Sequence, residues 1–332
     1  MRAVQVKEFG GPEVLSVTEI ADPVAGPGEV VVDVAAADVM FLDVRLRAGL
    51  GTDFFPVWPP YVPGGAVAGV VSAVGEGVDA SWIGRRVATG TAASGVGGGL
   101  PIGGYAERAL AKADALTAIP DGVSATQAAA LVHDGRTALG VMGRAAVQPG
   151  ERVLVTAAAG GLGTLFIQLA RAAGATVIAA ARGAAKLALA QRLGAHAVID
   201  YTDADWLDQV RTATDGHGVD VVLDGAGGDL GGSTLAVMAP GGRLIGYGNA
   251  AGGFANVDPE AATAANVTVV TLMELTAAVV DWTAHFTRAL AEVAAGRLEV
   301  VIGQTFPLSE APAAHAAIES RTAVGRTLLT VE

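Results

Sequence analysis

The chain has 332 residues, enough for two domains, and 52% of them are hydrophobic against 16% charged, a balance that excludes a disordered chain. Its 33 acidic and 21 basic residues leave a net charge of −12, which argues against a nucleic-acid partner. Without a single cysteine there is no disulfide, no thiolate zinc site and no cysteine nucleophile.

In chain order, residues 1–7 alternate like a strand and do not read as a signal peptide. Short β-branched runs at 4–9, 14–20, 30–36, 67–74 and 86–88, separated by Gly/Pro turns such as Gly26-Pro27-Gly28, predict an antiparallel, barrel-like β-rich domain over 1–123. Within it, 38–47 reads as a short helix, 52–63 as a loop of aromatics and prolines, and 90–104 as a glycine-rich, mobile loop. A helix is predicted over 124–142, with Ser124 as N-cap and Gln127 three residues on. Strands then alternate with helices. The strands are 153–156, 176–180, 197–199, 219–224, 243–247 and 267–272, and the helices include 184–193, 204–212, 231–238 and 281–295. This order predicts a doubly wound parallel sheet over 124–299, so the fold class is α/β. Residues 300–332 read as strand–helix–strand and are expected to complete the first domain. The apolar stretch 267–280 is interrupted by Glu274 and is too short for a bilayer, so no membrane partner and a cytoplasmic location are expected.

The chain is organised around residues 153–173. A buried strand runs into Ala158-Ala159-Gly160-Gly161-Leu162-Gly163, and helical spacing then begins, with Leu165, Leu169 and Ala172 on one face. Gly160 and Gly161 lack a Cβ, so a diphosphate can approach the backbone, while Gly163 lets the helix pack on the sheet. The helix N-terminus adds unpaired N–H groups and partial positive charge. Ala158 replaces the first glycine of the usual G-x-G-x-x-G, and an ordinary glycine-rich turn is the competing reading. After the second strand come Ala180, Ala181 and Arg182, where a carboxylate would hold the ribose 2′-hydroxyl of NAD. Arg182 and Lys186 suit a 2′-phosphate instead, and so NADPH.

Further stretches carry a resemblance. They include Phe9-Gly10-Gly11-Pro12-Glu13-Val14-Leu15, Val67-Ala68-Gly69-Val70-Val71, Gly103-Gly104-Tyr105-Ala106-Glu107, Val198-Ile199-Asp200-Tyr201 and Gly325-Arg326-Thr327-Leu328-Leu329. Together with the glycine turn they resemble the medium-chain dehydrogenase/reductases, specifically the zinc-free, zeta-crystallin-like quinone oxidoreductases. The resemblance implies a GroES-like β-rich domain, a Rossmann domain, NADPH and a homodimer. It also implies that Thr137, Ala159, Leu162, Tyr201, Gly246, Tyr247, Gly248 and Arg326 lie at the cofactor, beside Gly160, Gly161, Gly163, Arg182 and Lys186. Three positions depart from the family pattern: Met40 stands for the usual Asn, Arg45 for a Tyr, and Ala66 for a Glu.

The chemistry implied is hydride transfer to a small-molecule electron acceptor, a quinone or an α,β-unsaturated carbonyl. No metal is expected, because a quinone's reduced oxygens are stabilised by its own ring. Met40, Asp43, Arg45, Phe54, Trp58, Tyr61 and His133 are the candidates to line the acceptor pocket, apolar and aromatic residues suiting a flat ring. Arg47 reads as structural. No catalytic acid is assigned; Asp43, Tyr61 or solvent are the options. A short-chain dehydrogenase is excluded, since Tyr61, Tyr105, Tyr201 and Tyr247 are followed four residues on by Gly65, Ala109, Asp205 and Ala251 rather than Lys. An NADPH-binding sensor or crystallin-like protein with little turnover is the alternative.

Overall fold

A computed structural model describes residues 1–93, 99–277 and 281–331 of the chain. The middle of the glycine-rich loop expected at 90–104 therefore lies outside the described residues. The chain divides into two compact units, Met1–Arg136 with Phe286–Glu332, and Thr137–His285.

The first unit is built on one long strand, Glu29–Val39. Its eleven residues give it room for two partners along one edge. Arg108–Lys112 pairs antiparallel with Glu29 to Asp33, and Arg326–Thr330 pairs antiparallel with Ala36 to Val39. Ala66–Val74 takes the other edge, with a register shift between Val34 and Ala36. Gly69 sits at that irregularity, and a Cβ there would strike the Asp33 carbonyl oxygen. The resulting seven-stranded sheet runs Ile302–Pro307, Arg326–Thr330, Glu29–Val39, Ala66–Val74, Arg86–Gly90, Thr117–Ala118, with Arg108–Lys112 attached to Glu29–Val39. Arg2–Val6 and Leu15–Glu19 form a separate antiparallel pair. The core beneath contains Val4, Val6, Val39, Leu46, Tyr105, Leu308 and Leu329.

Two expectations in this unit need correction. The helix expected from residue 38 is Phe41–Arg47, because Asp38 and Val39 are still held in the sheet by Leu328 and Thr327. The strands Arg108–Lys112 and Thr117–Ala118 were not expected; alanines fill both, and alanine carries little strand preference.

The second unit holds a six-stranded, all-parallel sheet. Its order is Ala197–Asp200, Thr176–Ala181, Arg152–Thr156, Val219–Asp224, Met238–Gly246, Thr268–Thr271. Numbered along the chain this is 3-2-1-4-5-6, the Rossmann order. The central strands are apolar on both faces, as helices on both sides require: Val153, Leu154, Val155, Val221, Val222 and Leu223 are all buried. Helices Gly161–Ala172, Ala184–Arg192 and Trp206–Ala213 connect successive strands. The α/β fold class, a GroES-like β-rich domain with a doubly wound Rossmann sheet, is what the structure contains.

The capping box expected at Ser124 is present. Ser124 Oγ accepts from Gln127 N at 3.1 Å and Gln127 Oε1 accepts from Ser124 N at 2.9 Å, opening the helix Ala125–Ala145. The sequence reading divides the chain at 123/124 and 299/300, whereas the division into compact units falls at 136/137 and 285/286, inside two helices. The first half of Ala125–Ala145 goes with the β-rich unit because its side chains are engaged there: His133 with the Gly65 carbonyl, Asp134 with Arg326, and Gly135 against Ala289.

Leu329 is fully buried in the strand that joins the chain's last residues to Glu29–Val39. Leu329→Ala is expected to cost about 2–5 kcal/mol, read as a lowered denaturant midpoint. An unchanged midpoint would show that this strand contributes little.

Candidate functional site

The glycine turn leaves the C-terminal end of the strand Arg152–Thr156 and enters the N-terminal end of the helix Gly161–Ala172. Ala157 takes a left-handed conformation, φ 49°, which costs an alanine about 1 kcal/mol and marks the turn as strained. Gly160 caps the helix with extended backbone. A Cβ on Gly160 would meet nothing closer than the Ala157 carbonyl oxygen at 3.4 Å, so the protein leaves that side open. Gly163 is the opposite case: a Cβ there would lie 2.6 Å from the Ala157 oxygen and 2.7 Å from the Ala158 carbonyl carbon. Gly160 thus leaves its side of the turn open, and Gly163 lets the helix seat on the strand. The N–H groups of Gly161, Leu162 and Gly163 belong to the first turn and have no intrahelical acceptor.

Below the turn, the C-terminal ends of neighbouring strands are tied by a buried carboxylate. Asp224 Oδ1 accepts from Thr156 Oγ1 at 2.5 Å, and the same hydroxyl oxygen accepts from Gly225 N at 3.0 Å and Ala226 N at 3.2 Å. Gly227 N donates to Asp224 Oδ2 at 3.1 Å. Burial pushes the Asp224 pKa up, while the donors from Thr156, Gly227 and Ala226 pull it down. Gly231 stands so close to Asp224 Oδ2 that a side chain there would displace the carboxylate. Sequence reading missed Asp224 and Thr156; their only signal was that each ends a central strand.

Tyr247 supplies backbone to the same place. Its N–H and that of Gly248 donate to the Asp224 carbonyl oxygen at 2.9 and 3.1 Å. Its ring packs on Phe166 with centroids 4.8 Å apart, and its hydroxyl donates to the Thr156 carbonyl at 3.3 Å. The Tyr247 side chain is therefore a buried prop. Ala159 is buried in the turn, and Thr137 is half-buried in the helix Ala125–Ala145.

Arg182 and Lys186 stand at the end of the next strand and the start of Ala184–Arg192, with Tyr201 following the adjacent strand Ala197–Asp200. One expectation changes. The segment itself has no carboxylate, but Asp200 comes beside it from the neighbouring strand, opposite Ala181. Its oxygens are engaged: Oδ2 accepts from Gly183 N at 2.7 Å, and Oδ1 accepts from Thr202 N at 2.9 Å and Thr202 Oγ1 at 2.6 Å. Those bonds from Thr202 and Gly183, with Arg182 nearby, hold its pKa low. Asp200 shapes the turn that carries Arg182.

In the other unit, Met40, Gly65, His133 and Arg136 come together. A Cβ on Gly65 would lie 2.9 Å from Met40 Cε, and His133 Nε2 is 3.2 Å from the Gly65 oxygen. Arg136 Nη2 donates to His133 Nδ1 at 2.5 Å, so the proton sits on Nε2 and is donated to Gly65. Burial, with Arg136 beside it, pushes the His133 pKa down to about 3, so the ring is neutral.

The remaining acceptor-side candidates separate. Phe54 and Trp58 are 77% and 68% exposed, Trp58 resting on Phe9. Arg45 is half-buried. Asp43 and Tyr61 are buried. Asp43 Oδ2 accepts from Met40 N at 2.8 Å, closing the first turn of Phe41–Arg47, and from the Tyr105 hydroxyl at 3.3 Å. Arg326, expected at the cofactor, is taken up by two buried aspartates. Its Nε donates to Asp38 Oδ1 at 3.0 Å, its Nη2 also pairs with Asp38, and its Nη1 reaches Asp134 at 3.3 Å. Burial pushes the Asp38 and Asp134 pKa values up against the attraction of Arg326. Asp38 and Asp134 carried no motif, which is why sequence reading passed over them.

Among the described residues no group of three or more His, Cys, Asp or Glu could hold a metal ion, and no helix is long and apolar enough to cross a membrane.

Comparison with known proteins adds the following. A profile of the alcohol dehydrogenase GroES-like domain matches residues 26–121, and one described as a zinc-binding dehydrogenase matches residues 193–329. The chain is 34% identical over 330 residues to a probable quinone oxidoreductase of Schizosaccharomyces pombe, covering 98% of this chain and 96% of that protein. It is 33% identical over 341 residues to a 2-haloacrylate reductase of a Burkholderia species, covering 98% of each. The crystal structure of Escherichia coli quinone oxidoreductase complexed with NADPH is similar at a TM-score of 0.87 and 28% identity, covering 99% of this chain and 100% of that one.

Two outcomes test this geometry. Gly163→Val is expected to push the helix off the strand end and to abolish nucleotide binding in a calorimetric titration; retained binding would show that the turn adapts. Burial pushes the Asp43 pKa from 3.8 up to about 7, outweighing the bonds from Met40 and Tyr105. The folded chain then keeps a proton that the unfolded chain releases, so this group's contribution to stability falls as pH rises from about 4 to about 7 and is level above. Asp43→Asn, which cannot ionise, is expected to lose less stability than the parent between about pH 5 and about pH 8 in denaturant melts. An identical loss would place the titration elsewhere.

Proposed function

Because the chain belongs to the zinc-free quinone oxidoreductase branch of the medium-chain dehydrogenase/reductase superfamily, we propose that it is an NADPH-dependent reductase that delivers hydride to a quinone or another α,β-unsaturated carbonyl without a metal. The observation that carries this reading is the open side of Gly160, at the N-terminus of a helix and at the point where the strand order 3-2-1-4 reverses.

NADPH, when bound, supplies the hydride. The chain's own residues bind and orient. The first-turn N–H groups of Gly161, Leu162 and Gly163 meet the diphosphate, with Ala159 and Gly160 beneath it. Arg182 and Lys186, with Tyr201, meet the 2′-phosphate. Thr137 and the Gly246-Tyr247-Gly248 backbone serve the nicotinamide end. Met40 and His133, which share Gly65, are the side chains that address the acceptor. His133 acts there as a neutral, fixed group rather than as an acid, since both ring nitrogens are engaged. Asp43 and Tyr61 are too buried to give a proton directly, so solvent supplies it. A quinone suits this arrangement because the ring stabilises its reduced oxygens without a Lewis acid. The reading includes a homodimer in the cytoplasm.

NADPH oxidation followed against a panel of simple quinones and enones tests the proposal. Turnover that survives a chelator is expected; nucleotide binding without turnover on any acceptor would favour a cofactor-binding sensor. In the same assay Arg182→Ala and Lys186→Ala are each expected to weaken NADPH by about 10- to 150-fold and NADH far less, the loss of one charge-assisted contact. Equal losses for the two nucleotides would remove the 2′-phosphate role.

A further inference from the structure

Two short helices of the first unit are joined by side chains one helical turn apart. Asp43 and Arg47 share a face of Phe41–Arg47, and His315 and Glu319 share a face of Ala311–Glu319. The Tyr105 hydroxyl spans one level, 3.3 Å from Asp43 Oδ2 and 3.1 Å from His315 Nε2. Arg47 Nη2 paired with Glu319 Oε1 spans the next. Arg47 is 1% exposed, and only Glu319 reaches solvent. Among the described residues, Arg47 Nε and Nη1, Tyr61 Oη and His315 Nδ1 are buried without a hydrogen-bond partner. Tyr61 and Tyr105 share one core cluster, and the Tyr105–His315 and Arg47–Glu319 pairs join the same two helices. The Tyr61 hydroxyl is influenced by both Asp43 and Arg47, and the His315 ring by Arg47.

Counting protons fixes the roles. Ionised Asp43 only accepts, so the single Tyr105 proton goes to it. His315 Nε2 must then donate to Tyr105 Oη. Burial, with Arg47 nearby, pushes the His315 pKa down to about 3, so the ring is neutral and its Nδ1 is an acceptor. The open groups are therefore donors on Arg47 and Tyr61 and one acceptor on His315. A buried donor left unmade costs about 1–3 kcal/mol, and more when it is charged.

We propose that Arg47, Tyr61 and His315 form an internal-water site, in which water accepts from Arg47 and Tyr61 and donates to His315 Nδ1. A single water accepts twice and donates twice, so it can take one Arg47 N–H and the Tyr61 hydroxyl and give a proton to His315 Nδ1; the other open N–H groups of Arg47 call for further water. It completes an unbroken hydrogen-bonded wire from the Asp43 carboxylate through Tyr105 and His315 to Arg47 and the surface carboxylate of Glu319. His315 is then a positioning residue: its Nε2–H holds Tyr105 on Asp43, and Asp43 holds the Met40 N–H. The inference does not depend on the reaction proposed above.

The test is a nitrogen-15 spectrum of the full chain labelled at histidine, recorded at mildly alkaline pH, with His315 assigned by its loss in His315→Gln. The expected result is a neutral ring protonated at Nε2, with the Nδ1 resonance displaced towards that of a hydrogen-bonded acceptor. Tyr61→Phe, which removes only the hydroxyl and keeps the ring, should move that resonance while the far-ultraviolet circular dichroism stays unchanged. A crystal structure that shows ordered solvent should place water within hydrogen-bonding distance of Arg47 and His315 Nδ1. A ring protonated at Nδ1 would overturn the proposal. So would an Nδ1 resonance that Tyr61→Phe leaves in place, or a structure in which Arg47 meets Tyr61 or His315 directly with no solvent between them.

Discussion

A carboxylate taken out of water must be met by donors, and that demand organises both halves of this chain. In the nucleotide-binding unit, Asp224 gathers the Thr156 hydroxyl and the N–H groups of Ala226 and Gly227. Neighbouring strand ends are thereby fixed directly beneath the glycine turn. In the β-rich unit, Asp38 and Asp134 share the guanidinium of Arg326, and Asp43 collects Met40 N and Tyr105. Breaking such a buried arrangement on one side leaves an uncompensated charge, typically a loss of 3–5 kcal/mol, or roughly the whole margin of a small domain. The loops at these places are consequently held by hydrogen bonds to single atoms rather than by apolar contact alone.

The fold was legible where physics acts locally. Alternating β-branched runs, Gly/Pro turns and the switch to helical spacing after Gly163 are signals a short window contains, and five of the six Rossmann strands follow them to within a residue at each end; the strand expected at 243–247 is Met238–Gly246, and the helix expected at 231–238 is Gly228–Ser233 with a short 3-10 turn at Thr234–Val237. The capping box at Ser124 was equally readable, because three residues determine it. Legibility failed where a distant segment decides. Asp38 and Val39 stay extended because residues near 328 pair with them, and Arg108–Lys112 is a strand only because Glu29–Val39 has an edge to fill.

The candidate site divides along the same line. The spacing of Gly160 and Gly163 is legible in the sequence, and the structure leaves the first open and packs the second against Ala157 and Ala158. Arg182 and Lys186 were readable as charges, but the carboxylate beside them, Asp200, comes from another strand. On the acceptor side, side-chain type misled. Asp43 and Tyr61 look reactive in a sequence, yet one is drawn inward to close a helix and the other is covered by the core. Arg326, which the resemblance places at the cofactor, pairs with Asp38 and Asp134, the first across 288 residues, a link that no short motif encodes.

The strand Glu29–Val39 draws one of its edge partners from residues 326–330. During synthesis, which proceeds from the N-terminus, Ala36–Val39 waits with its edge bare until residues 326–330 have left the ribosome, whereas residues 137–285 already hold every strand of their own sheet. The middle of the gene product can therefore mature before its beginning, and an exposed strand edge invites wrong partners in the interval. A nascent copy is at greatest risk of aggregation in that interval.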